Sequence, residues 1–343
     1  MDDPTEPRAP ASPPPPPAAA TTARASQRGG GPGTATAPAA QEATEALATL
    51  VAAVERVVTG KRQVVERCVT VFAAGGHVLL QDVPGVGKTV LARALARSVD
   101  ARFQRVQGAP DLLPADITGS NVWDPGMRDF RFVPGPVFAQ VVLVDELNRT
   151  TPRTQAALLE AMEEGQVTVD GTTHPLPRPH MVVATQNPAE HLGTFALPES
   201  QLDRFMVSTS LGYPSESDEA TIVTDQMLAH PLDTVTPVLD VDAVLRLRAA
   251  VRRVHVADPV VRYGVALVRA TRAGTALGAS PRASVQLLRL AQATALLRGR
   301  DHVLPDDCKL LAPDVLTHRV MPADGRAASE IVAEAVARVP VPA

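Results

Sequence analysis

Between residues 46 and 58 the apolar positions Leu47, Leu50, Val51, Val54, Val57 and Val58 recur three and four apart. That is the period of a helix with one buried stripe, and Gly60 follows as a stop signal. Short apolar runs then appear at Val78 to Leu80, Phe103 to Val106, Val141 to Val144, Met181 to Ala184 and Met206 to Thr209, with helical stretches between them, clearest at Val90 to Val99 and Thr154 to Glu164. Runs this rich in Val and Leu, with little polar alternation, suit strands buried on both faces of a parallel sheet, so the expected class is α/β. After Tyr213-Pro214 the strand-like runs stop. Helices are expected at about 215–230, 241–253, 259–273, 282–298 and 305–320, as a second, helical domain.

Composition adds a tail to this picture. Residues 1–40 hold ten of the 32 prolines, including Pro13 to Pro17, with Ala, Thr and Gly filling most of the rest. Such a segment buries too little apolar surface to offset its ordering entropy and is expected to be disordered. The expected division is therefore a tail at 1–40, an α/β domain at 41–212 and a helical lid at 213–343. A formal charge of -4 gives no sign of a surface built to neutralise a phosphate backbone, which weighs against nucleic acid as a partner. Cys68 and Cys308 lie far apart with no Cys-x-x-Cys, and are expected to be packing residues. The start at Met1-Asp2-Asp3 is not a secretory signal, and no apolar run approaches the ~18 residues of a membrane span, so a cytoplasmic protein is expected.

The chemistry concentrates in His77 to Thr89, where a strand meets Val83-Pro84-Gly85-Val86-Gly87-Lys88-Thr89 and a helix begins near Val90. A glycine-bearing loop between strand and helix turns backbone N–H groups onto phosphate oxygens; Lys88 can reach the outer phosphates and the Thr89 hydroxyl can ligate Mg2+. Asp82 stands where the usual pattern has its first glycine. That position begins the turn without supplying the main cradle, so nucleotide binding is expected to survive. Val141 to Val144 lead into Asp145-Glu146, the Walker B pattern: Asp145 to hold the magnesium shell, Glu146 to orient and deprotonate water. No Asn-Lys-x-Asp segment on a late strand suggests guanine specificity, which favours ATP.

Three further segments carry a family resemblance. The run Asp145 to Glu164, the run Ala184-Thr185-Gln186-Asn187-Pro188 continuing to Leu202-Asp203-Arg204-Phe205, and Gly278 to Ser284 are similar, in that order, to MoxR-type AAA+ ATPases, over roughly residues 45–320. The resemblance implies a P-loop AAA+ core, with a parallel sheet sandwiched by helices, followed by a small all-helical lid. It also implies that Asn187 is the sensor beside the γ-phosphate, that Arg204 is a finger for the neighbouring subunit's ATP, and that Arg282 is a lid sensor. It further implies a homo-oligomeric, hexameric ring acting as a chaperone on protein clients, von Willebrand factor A domain proteins among them. Arg149 and Arg153 receive no role.

Asp116 to Phe138 and Gly165 to His180 are expected to form two inserted hairpins, candidate client contacts. Trp123, the only tryptophan, is expected in the core. Three other functions stay open at this level: a nucleic-acid motor, a nucleotide-gated scaffold without turnover and a small-molecule kinase.

Overall fold

The computed structural model describes residues 37–187, 193–228 and 230–342. The tail expected at 1–40 therefore lies outside the described residues as far as residue 36. The chain runs α1 (Ala37–Glu55), α2 (Arg62–Ala74), β1 (Val78–Gln81), α3 (Lys88–Ser98), β2 (Phe103–Gln107), α4 (Pro114–Thr118), β3 (Gly119–Asp124), β4 (Asp129–Pro134) and β5 (Val141–Asp145). Then come α5 (Pro152–Glu164), β6 (Gln166–Val169), β7 (Thr172–Pro175), β8 (Met181–Gln186), α6 (Glu199–Leu202) and β9 (Val207–Thr209). The remainder is α7 (Glu216–Leu228), α8 (Val241–Val251), α9 (Asp258–Ala270), β10 (Thr275–Leu277), α10 (Pro281–Leu297), α11 (Pro305–Leu316), β11 (Met321–Pro322) and α12 (Ala328–Arg338).

Five strands form one sheet in the order β2-β5-β8-β1-β9, with every pairing parallel. These are the five expected runs, and the reason for their apolar continuity is visible in how alternate side chains divide. Val141, Leu143, Met181, Val183, Val78 and Leu80 face one buried cluster. Val142, Val144, Val182, Ala184 and Leu79 face the other. Full burial of each such side chain stabilises by roughly 1.5–3 kcal/mol before entropy is counted. The second cluster is closed by α5 and by Phe205. The first is closed by α1, α2 and α3 together with residues of α8 to α12, so the helices after residue 213 share a core with the N-terminal ones.

Local signals set the helix ends. Thr151 caps α5 by accepting from Thr154 N, with Pro152 in the first turn and Gly165 left-handed at φ 63 after the last. Ser280 does the same for α10 ahead of Pro281. Two parts of the C-terminal region depart from the sequence expectation. The antiparallel pair β10–β11 is too short for any periodicity to reveal, and α12 buries only Ile331, Val332 and Ala335. The two inserted hairpins form, as β3–β4 and β6–β7. Trp123 corrects the expectation of core packing: it is 50% exposed on β3 and meets Phe130 edge-on across the hairpin, because a two-stranded ribbon has no second layer to cover it. Cys68 and Cys308 are buried free thiols, and burial pushes both up to about 12.

Two histidines precede central strands on the edge where the strands begin. His77 Nδ1 accepts from Val182 N (2.9 Å) and His180 Nδ1 faces the Ala139 carbonyl (2.9 Å). Burial lowers His77 to about 3, helped by the neighbouring His180, and lowers His180 to about 4. Both stay neutral in the folded chain while the unfolded chain protonates them below pH ~6.5, so acid favours unfolding. Stability should fall by about 1.4 kcal/mol per pH unit per histidine between pH ~6.5 and ~4. Unfolding midpoints in urea across that range check this, and a flat profile would contradict it.

Candidate nucleotide site

The loop after β1 is open by construction. Gly85 and Gly87 have φ of +86° and +97°, and a Cβ at either would meet nothing within 4 Å, so these glycines serve the left-handed turn and a close backbone approach. Val86 and Val90 root the loop by packing on the main core, and Val83 is partly buried. Pro84 is exposed at the mouth. Lys88 and Thr89 open α3, where unpaired amides and the helix dipole favour an anion. Lys88 Nζ donates to the Asp82 and Val83 carbonyls at 3.1 Å each, which lays its ammonium across the loop.

Asp82, the departure from the usual glycine, has a structural task. Its buried carboxylate accepts from Ser210 Oγ (2.7 Å), Leu211 N (2.6 Å) and Gly212 N (3.0 Å). The phosphate loop is thereby tied to the segment that leaves the sheet after β9. Nothing local in sequence reveals this role, because its partners lie more than a hundred positions away.

Asp145 and Glu146 end β5 beside Thr185 of β8. The Thr185 hydroxyl donates to Asp145 Oδ1 (2.7 Å) and accepts from Glu146 N (2.8 Å), fixing both acids with one atom. Glu146 sits left-handed at φ 55, a conformation unusual for a residue with a side chain. Its Oε2 receives Gln107 Nε2 (3.0 Å) and lies 3.2 Å from Arg149. Arg105 pairs with Asp145 Oδ2 at 2.7 Å. Gly108 makes room for all this: its N–H donates to the Asp145 carbonyl at 2.7 Å, and a Cβ there would stand 2.2 Å from the Glu146 carbonyl. Arg105, Gln107, Gly108 and Thr185 were invisible as site residues in sequence, since nothing in β2 or β8 shows which strand each joins.

Lys88, Thr89, Asp145, Glu146 and Asn187 line one cavity of about 350 Å³ at the carboxyl ends of the strands. Asn187 directly follows β8 and is buried; Pro188, which follows it in the motif, lies outside the described residues. Arg204 and Arg282 are not in this cavity. They meet at Glu163 instead: Arg204 Nε lies 3.2 Å from its Oε2, and Arg282 Nη2 donates to its Oε1. Beside them Asp203 accepts from the Ser280 hydroxyl (2.9 Å) and from Arg319 Nε (2.9 Å). Arg319 is almost fully buried, and burial lowers it to about 10 despite Asp203. Removing one partner of such a pair costs about 3–5 kcal/mol, so this contact locks the Leu202 to Phe205 segment onto α10 and α11. No sequence signal marked Arg319.

Comparison with known proteins agrees with this geometry. Residues 77–207 match the ATPase family associated with various cellular activities (AAA), and residues 266–337 match the AAA lid domain. The Mycobacterium tuberculosis protein Chaperone MoxR1 is 40% identical over 82% of this chain and 78% of its own length. This chain belongs to the MoxR family of AAA+ ATPases. YeaC of Bacillus subtilis, an uncharacterized protein, is 47% identical over 84% of this chain and 92% of its own. The crystal structure of a candidate ATPase from Cytophaga hutchinsonii superposes with a TM-score of 0.83 at 34% identity, covering 89% of this chain and 98% of that one. The MoxR-family site fits a magnesium nucleotide by its donor set: open glycine amides, an ammonium, a hydroxyl at a helix start and a carboxylate opposite.

Two variants probe the parts that sequence did not mark. Asp82→Gly restores the usual glycine yet should lose about 2–4 kcal/mol through the stranded Ser210, Leu211 and Gly212 donors, read by chemical denaturation; unchanged stability would refute the tie. Thr185→Val should lower ATP turnover about 10- to 100-fold with nucleotide affinity nearly kept, since it frees both acids without touching the loop.

Proposed function

We propose that this MoxR-family chain hydrolyses ATP within a homo-oligomeric, hexameric ring and uses turnover for chaperone-like remodelling or maturation of a protein client in the cytoplasm. The observation that carries the reading is the convergence of Lys88, Thr89, Asp145, Glu146 and Asn187 on one cavity. Thr89 and Asp145 would hold Mg2+, which when bound neutralises phosphate charge. Glu146 takes a proton from water through Oε1, the oxygen left free by Gln107 and Arg149. The water oxygen bonds to the γ-phosphorus, the bridging bond to the β-phosphate breaks, and ADP and phosphate leave. Lys88 and Asn187 stabilise the charge that develops on the transferring group.

Arg204 and Arg282 lie on the Glu163 carboxylate rather than in the chain's own cavity. That placement suits a finger offered to a neighbour and a lid sensor that changes partner with nucleotide state, in a division at about residue 213 between a nucleotide-binding part (41–212) and a lid (213–343). The client contact is assigned to the β3–β4 hairpin, where Trp123, Met127 and Phe130 are 50%, 73% and 64% exposed. Proteins with von Willebrand factor A domains are the client class to try first.

ATP turnover per subunit should rise with protein concentration. Arg204→Ala should lower it by about 10³-fold or more while ATP still binds, the scale of a lost arginine finger. Glu146→Gln should bind ATP and turn over negligibly. Concentration-independent turnover that Arg204→Ala leaves unchanged would rule out a site shared between subunits.

A further inference from the structure

A second cavity, of about 390 Å³, lies on the opposite edge of the sheet, where the strands begin. His77 and His180 stand at its floor, ahead of β1 and β8; Arg178 comes from the segment between β7 and β8, and Arg248 and Arg252 come from the end of α8. Its lining contains no carboxylate. Among the described residues Arg178, Arg248 and Arg252 form no ion pair. Three guanidiniums gathered without a counterion repel one another, and Arg248 is lowered to about 10 by burial and by its neighbours Arg252 and Arg178.

The cluster is built rather than loose. Arg248 Nε donates to the Phe72 carbonyl (3.0 Å), Nη2 donates to the His180 carbonyl (3.2 Å), and its guanidinium lies 5.3 Å from the centre of the Phe72 ring. That leaves three of its five N–H groups unspent, held in a fixed plane. His180 is nine-tenths buried with Nδ1 on the Ala139 carbonyl, which fixes the backbone that Arg248 Nη2 holds. Met162, Leu176, Leu245 and Ala249 supply an apolar wall.

We propose that this cavity binds a small phosphate monoester, its oxygens held by Arg178, Arg248 and Arg252. The charge and the fork geometry select a tetrahedral oxyanion. The apolar wall accommodates the organic part of an ester. Occupancy joins the end of α8 to the segment leading into β8, so the ligand stabilises the folded chain by linkage.

The test is calorimetric titration of the full chain with glycerol 3-phosphate, inorganic phosphate and sulfate, repeated in Lys88→Ala to silence the nucleotide loop. The ester should bind in both, and inorganic phosphate and sulfate, which leave the apolar wall uncovered, should each bind at least about fivefold more weakly. Arg178→Ala and Arg252→Ala, both at exposed positions and so compatible with folding, should each weaken the ester about tenfold or more. Binding that vanishes in Lys88→Ala but survives both arginine variants would place the ligand in the nucleotide loop and overturn the proposal. Equal affinity for sulfate, or a response to inorganic phosphate with none to the ester, would overturn it as well.

Discussion

The pairing of β5 between β2 and β8 decides which atoms can meet at the nucleotide site. Parallel register sets Gln107 beside Asp145, and Val144 beside Ala184, so that Thr185 comes level with the acids. Because side chains alternate, a slip of one residue would send Asp145 and Thr185 to opposite faces and put Val142 and Val144 in the wrong cluster. The hydrophobic sorting of the strands and the assembly of the polar site are therefore one constraint. Gly108 shows how tightly it is drawn, since the turn after β2 comes closer to the acids' backbone than any side chain would allow.

A second set of contacts joins the site to elements beyond the sheet. Asp82 links the phosphate loop to residues 210–212, and Asp203 links the segment before β9 to Ser280 and Arg319. Between them stands Glu163, the shared partner of Arg204 and Arg282. Carboxylates thus make the connections between the nucleotide loop, the strand edge and the C-terminal helices, Asp82 buried, Asp203 partly buried and Glu163 at the surface. Each is oriented by several donors, which is what makes a carboxylate a directional joint rather than a loose charge.

The five core strands, the helices that flank them and the phosphate loop were legible in sequence because each rests on local patterning: apolar runs of the right length, helical spacing, glycines before a lysine. The strand that leads into Asp145-Glu146 was legible for the same reason. Arg105, Gln107 and Thr185 were not, since their roles come from strand order, which no local pattern encodes. Trp123 misled because a large aromatic is usually buried, whereas a hairpin standing off the sheet has nothing to bury it against. Arg319 and Asp82 escaped because one buried ion pair and one buried carboxylate depend on partners more than a hundred positions away.

The shared core on the face of α1, α2 and α3 bears on how far the C-terminal helices can travel. Leu47, Val69 and Phe72 belong to the same buried cluster as Val244, Leu287 and Leu311. A wide swing of α8 and α10 about a flexible joint would open that cluster to water, at roughly 25 cal/mol for each Å² of apolar surface uncovered. Displacements that keep the surfaces in contact avoid this cost. Sliding of packed helices past one another by a fraction of a turn is the motion such an arrangement permits, and it would register as a shift of a few ångströms in Arg282 rather than as the opening of a jaw.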